Sequence, residues 1–236
     1  MAQARQTVPR SLREEVLEAN LALPAHGLVA LTWGNVSGID RESGLVVIKA
    51  SGVPYRSMTL DDMVVVDCDG TVVEGRRPST DTPTHLALYR AFPDLGGVVH
   101  THSTWATAWA QAEREIPILG TTHADLSPRA VPLARPLSDD EVAGAYEAST
   151  GTVVVEAIGA STPTEVPAVL VRSHGPFCWG PSATAAVESA VTLEEVAKMA
   201  LLTEMLRPDG PPLADAVRRK HYERKHGPHA YYGQSS

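Results

Sequence analysis

The sequence predicts an α/β or α+β fold, a single domain over residues 1–236 in which helices sandwich one central sheet. Short runs rich in Val, Ile and Leu recur through the first half and again from residue 153, each bounded by turn residues. Capped helical patterns flank these runs, and the longest ones come late in the chain. At 236 residues with 43% hydrophobic content, the chain can bury a sizeable core without a second domain.

The elements follow in order. Ser11 with Glu14 reads as a capping box opening a helix whose stripe is Leu12, Val16, Ala19 and Leu23, closed by Pro24 and Gly27. Strands are expected at 28–32 (LVALT), 45–51 (LVVIKAS) and 63–67 (MVVVD), with turns in GIDRESG, SGVPYRS and the CDG tip before Thr71. Thr82–Pro83 reads as an N-cap and first helical position. GGVVHTHS reads as a strand entering a turn, and Ser103 caps the helix TWATAWAQA. TTHADLSPRAVP reads as a loop, and Ser138 with Glu141 caps a helix over 139–148. TVVVE and AVLVRSH read as strands, followed by helices over about 182–206 and 212–226.

A net charge of −8 argues against nucleic acid as a partner, because neutralising phosphates needs a basic face. No run approaches the roughly 20 apolar residues of a membrane span, and the N-terminus has no apolar signal core. Two cysteines, Cys68 and Cys178, are too few for a disulfide framework, so the expected compartment is the cytoplasm. The run Arg218–Arg219–Lys220 reads as a solvated helix face.

His100 and His102 stand two apart at the end of an apolar strand, a spacing that puts both imidazoles on one face. His174 ends a second strand. Three neutral imidazoles can hold a divalent ion and leave a position open for substrate. The donor set is compatible with zinc, manganese, cobalt or iron.

The stretches LTWGNVSGID, KASGVPY, VVEGRRPSTDTPTH, VVHTHS, GTTHAD, VRSHGPFCWG and KHYERKHGPHAYYGQ follow one another in the chain. Together they resemble the class II aldolase and sugar-phosphate epimerase family, and within it the bacterial L-ribulose-5-phosphate 4-epimerases, almost from end to end. The resemblance implies a mostly antiparallel sheet and a Zn2+ site made by His100, His102 and His174, with Asp81 as an acidic fourth ligand; Mn2+ or another divalent ion would also suit. It implies substrate and phosphate contacts from Gly34, Asn35, Ser51, Gly52, Ser79 and Thr80, with Lys49 nearby. It places the acid–base pair at Asp125 and Tyr232, the latter donated by a neighbouring subunit of a homotetramer. Glu147, His221 and Thr121 match residues lining that intersubunit site. Two features depart from the pattern: Leu126–Ser127–Pro128–Arg129 stands where the epimerases carry an aromatic-rich, Gly-containing loop, and Thr80 replaces a serine.

The implied substrate is a phosphorylated ketopentose inverted at carbon 4. That hydrogen is not α to the carbonyl, so deprotonation gives no stabilised carbanion. The chain has no G-x-G-x-x-G after a strand, which leaves a nicotinamide route without its fingerprint. Retro-aldol cleavage between carbons 3 and 4 remains, with a metal as Lewis acid. A class II aldolase is the alternative activity. Asp81, where aldolases carry Glu, and the tail around Tyr232 favour the epimerase.

Overall fold

The computed structural model describes residues 7–159 and 163–232. One sheet organises them, built from β1 (Asn35–Asp40), β2 (Leu45–Lys49), β3 (Met63–Val66), β4 (Val72–Glu74), β5 (Gly97–His100), β6 (Ala168–Val171) and β7 (Gly175–Gly180). The spatial order is β4-β3-β2-β1-β5-β7-β6, and all neighbouring strands pair antiparallel, as expected.

Helices cover both faces, so β2, β3 and β6 read as unbroken apolar runs rather than alternating ones. Side chains nevertheless part by the period of two. Val47, Val65 and Val99 enter one core with α1 (Arg10–Ala25), α3 (Thr104–Gln111) and α7 (Ala183–Leu206). Val46, Val64, Val66 and Val98 enter the other with α2 (Thr82–Ala91) and α6 (Tyr146–Ile158). The remaining helices are α4 (Thr121–Leu126), α5 (Asp139–Ala143) and α8 (Asp215–His226). Asn20 fastens α1 to the sheet: its amide donates to Val16 O and Val36 O, and its carbonyl accepts from Val36 N at 2.9 Å.

Several elements differ from the sequence expectation, for identifiable reasons. Residues 28–32 form a turn, and the strand falls later, at β1, within the stretch read partly as a turn. β1 is concealed because its buried positions include Ser37, bonded to His85 and Tyr89, and Gly38, where a Cβ would lie 2.9 Å from both Leu12 and Val16 of α1. TVVVE is helical within α6, because packing Val153 and Val154 into the second core outweighs β propensity. Gly151 permits the close approach to α2, where a Cβ would sit 2.5 Å from that of Ala87.

TTHADL is the helix α4 rather than loop, and the helix expected over 139–148 splits into α5 and α6. The Ser138–Glu141 capping box forms as expected. The Ser11–Glu14 box does not: α1 starts a residue earlier, behind Pro9, and Glu14 accepts from Arg10 instead. Asp81, not Thr82, occupies the N-cap position of α2. Ser103 stands at the N-cap of α3 without a side-chain cap bond; Glu194 of α7 accepts from Trp105 N and Ala106 N at 2.8 and 2.9 Å. β4 and β7 were not anticipated, the first being short and exposed, the second masked by Gly and Pro. The last helix begins at Asp215 rather than 212.

Among the described residues, no helix is long and apolar enough to cross a membrane.

Candidate metal centre

The antiparallel register places the start of β1 and the ends of β2 and β5 at one end of the sheet, with Asn35 directly opposite His100. His102 follows two residues beyond the strand. His174 lies in the tight β6–β7 turn rather than at a strand end, because Ser173 turns the chain with φ +57. Gly175 lets that turn close, since a Cβ there would lie 2.6 Å from Thr101 O. The three imidazoles meet, with ring centroids 4.7–5.0 Å apart and donor atoms all within 4.8 Å of one another.

Their chemistry fits a divalent cation. His100 is buried, stacked at 4.2 Å on Phe177, and its Nδ1 faces Pro176 O at 3.0 Å. That carbonyl can only accept, so Nδ1 carries the proton and Nε2 presents its lone pair, the usual arrangement of a ligating imidazole. Nε2 of His102 lies 3.1 Å away. His174 Nδ1 is buried without a hydrogen-bond partner among the described residues. Burial pushes His100 down to about 3 and lowers His102 and His174 as well, so all three are neutral at pH 7.

Asp81 lines the same cavity but stands outside the cluster of donor atoms. Its Oδ2 accepts from Asn35 Nδ2 at 2.7 Å. Burial opposes its ionisation, but the Asn35 amide and the attraction of His100 and His85, which acts when those imidazoles take up a proton, outweigh burial and hold it below the ordinary carboxylate value. His85 is fully buried under this centre, bonded to Ser37 Oγ at 2.7 Å and edge-on to Phe177.

The surrounding cavity, about 430 Å³, gathers most of the expected binding residues: Gly34, Asn35, Lys49, Ser51, Gly52, Ser79, Thr80 and Glu147. Gly34 adopts φ +75, and a Cβ there would lie 2.7 Å from Val29 Cγ1 and 2.9 Å from His100 O. Gly34→Ala is therefore expected to destabilise the chain by roughly 2–4 kcal/mol, read as a lower urea midpoint. The Lys49 ammonium is pushed below its usual value by burial, against the opposing charges of Asp62 and Asp81. Three wall residues were not singled out from sequence: Thr32, Trp33 and Tyr146. The first two lie inside the LTWGN motif and the third precedes Glu147, so adjacency to motif residues was the available signal.

Thr121, Asp125, His221 and Tyr232 do not line this cavity. Thr121 opens α4, exposed, while Asp125, further along α4, meets α8. His221 Nδ1 lies 3.2 Å from Asp125 Oδ1, and Arg224 forks onto both carboxylate oxygens at 3.1 and 2.8 Å. Burial would raise Asp125, but these partners hold it below the ordinary value. Tyr232 is exposed and stacks on Arg224. The last two residues of the tail motif, 233 and 234, lie outside the described residues.

Two buried histidines outside the three-imidazole cluster make stability pH-dependent. Burial pushes His85 and His123 to about 4, against 6.5 for an exposed imidazole. The unfolded chain therefore binds more protons between those values, and stability present above pH 6.5 is lost as pH falls towards 4. The loss is up to roughly 3 kcal/mol for each histidine. Urea midpoints measured from about pH 7.5 down to 4.5 should fall steadily, less steeply in His123→Asn.

The family described as Class II Aldolase and Adducin N-terminal domain matches residues 14–201. The chain is 58% identical over 226 residues to "L-ribulose-5-phosphate 4-epimerase UlaF" of Salmonella paratyphi A, covering 95% of this chain and 99% of the relative; the protein of that name from Salmonella typhi matches equally. Among solved structures, an L-fuculose 1-phosphate aldolase superposes with a TM-score of 0.80 at 25% identity, covering 92% of this chain and 97% of the other. The L-fuculose-1-phosphate aldolase of Thermus thermophilus gives 0.69 at 26% identity, covering 87% and 100%. With its antiparallel sheet, its three-histidine cluster and these matches, the chain belongs to the class II aldolase family.

Proposed function

We propose that the chain is an isomerase, an L-ribulose-5-phosphate 4-epimerase, that interconverts L-ribulose 5-phosphate and D-xylulose 5-phosphate. The reaction is retro-aldol cleavage between carbons 3 and 4, rotation of glycolaldehyde phosphate, and re-addition to its other face. The observation that carries this reading is one cavity that joins the three-imidazole centre to a polar wall suited to a phosphorylated sugar, in a chain 58% identical to proteins bearing that name.

When bound by His100, His102 and His174 beside Asp81, a divalent ion, Zn2+ or another such as Mn2+, supplies positive charge against the negative charge developing on the carbon-2 and carbon-3 oxygens. The chain's own residues do the rest. Lys49, the Ser51, Ser79 and Thr80 hydroxyls, and backbone N–H groups at Gly34–Asn35 and Gly52 hold the phosphate, so the aldehyde fragment cannot escape while it turns. The phosphate's charge favours the Lys49 ammonium, which burial disfavours.

The carbon-4 hydroxyl loses its proton on one face and regains it on the other, which needs one acid–base group on each side. Asp125 and Tyr232 take these roles, brought by a neighbouring subunit, with Thr121, Glu147 and His221 completing the wall. Asp125, Tyr232, Thr121 and His221 do not line the cavity of their own chain, which supports a homotetramer with shared sites. So does the apolar face of α7, where Met199, Leu202, Met205 and Leu206 are exposed. We place the enzyme in the cytoplasm.

The likeness to L-fuculose 1-phosphate aldolases favours a second reading, an aldolase that releases its aldehyde. A coupled assay on L-ribulose 5-phosphate separates the two. D-xylulose 5-phosphate, formed in a chelator-sensitive manner, is expected; accumulation of glycolaldehyde phosphate without it would make the chain an aldolase.

A further inference from the structure

Helix α8 buries no residue of its own, yet it packs on α4 and carries the tail that holds Tyr232. Chain ends of this composition ordinarily fray unless specific contacts hold them. Arg224 supplies three such contacts at once. Its Nε and Nη2 donate in parallel to the two carboxylate oxygens of Asp125, at 3.1 and 2.8 Å. Its guanidinium carbon lies 4.4 Å from the centre of the Tyr232 ring. Its backbone oxygen accepts from Tyr231 N and Tyr232 N, at 2.9 and 3.0 Å, which folds the tail back over the helix.

The other basic groups at this place do less. His221 reaches the carboxylate, His226 the backbone oxygen of Asp125 and the Tyr222 ring, and Lys220 stacks on Tyr231 rather than Tyr232. Both ends of the Arg224 side chain are therefore committed: the planar fork to the carboxylate, the cationic face to the phenol ring. Lysine can supply the charge but neither the fork nor the stacking plane.

We propose that Arg224 is a positioning residue, which fixes the Asp125 carboxylate and the Tyr232 ring relative to each other so that a second subunit receives both as one preformed unit. This rests on the acid–base roles assigned above to Asp125 and Tyr232. An error of about 1 Å in such a pair costs on the order of 10²-fold in rate, so the loss should appear in turnover rather than in substrate binding, because the guanidinium is committed to Asp125 and Tyr232.

The test uses the full-length, metal-loaded enzyme with Arg224→Met and Arg224→Lys, each alone and combined with Asp125→Asn. Expected is a fall in kcat of about 10²-fold for both, with KM for L-ribulose 5-phosphate and metal content unchanged. Added to Asp125→Asn, the same change should cost less than about 3-fold, because the pair it aligns is already broken. A kcat within about 2-fold of wild type, or a Lys variant restored to wild type, would overturn the proposal; so would a full multiplicative loss on top of Asp125→Asn. If Arg224→Met loses metal through misfolding, the Lys variant decides. Should Asp125→Asn alone retain wild-type turnover, the acid–base assignment has failed instead. Tryptic release of the tail after Lys225 then reads the clamp by itself, faster in Arg224→Met if Arg224 fastens the tail and unchanged if it does not.

Discussion

Asp125→Asn is expected to lower epimerisation by about 10²–10⁴-fold, the range spanned by general acid–base groups, while metal content and oligomeric state stay as in wild type. Asparagine keeps the shape and an oxygen for Arg224 but cannot take up a proton. Asp125 is held in its ionised form by Arg224 and His221 against the effect of burial, so it begins as a proton acceptor. It also lies outside the cavity that holds the imidazoles, so its loss should leave the metal undisturbed. Parallel measurement of kcat, bound metal and sedimentation checks this; wild-type turnover in the variant would remove Asp125 from the mechanism.

His102→Ala should abolish turnover by another route, through loss of the metal. His102 is the exposed member of the three, so its removal leaves the two cores intact, yet it supplies one of the three donors that cluster among the described residues. The charge stabilisation that depends on the ion is worth several kcal/mol, or roughly 10³-fold or more in rate. Metal analysis of the purified variant should find far less than one ion per chain, and far-ultraviolet circular dichroism should match wild type. A variant that keeps its metal and its activity would show that His102 is not a ligand.

The site was more legible in the sequence than the fold around it. The three histidines stood out because H-x-H at a strand end forces two imidazoles to one side, and the structure brings all three together. The phosphate-facing residues, Asp81 and Glu147 came from resemblance alone, and their common cavity depends on β1, which the apolar pattern did not reveal. Strand β1 stayed hidden because Ser37 and Gly38 are buried for hydrogen bonding and helix approach, not for apolar transfer. TVVVE misled in the opposite sense: its β-branched run is as good a buried helix face as a strand, and only contact with α2 and β6 decides between them. His85 and Arg224 were passed over because a lone His on a helix, or an Arg in a basic one, carries no local sign of the partner it meets across the fold.

Subunit mixing tests most directly whether one chain's imidazole centre works with another chain's Asp125 and Tyr232. His102→Ala and Asp125→Asn chains, each inactive alone, would be dissociated, combined in equal amounts and reassembled. If the site is shared between neighbours, about one site in four pairs an intact metal centre with an intact Asp125, and the mixture should recover about a quarter of wild-type turnover. A mixture no more active than its two parents would contradict shared sites and return both groups to a single chain.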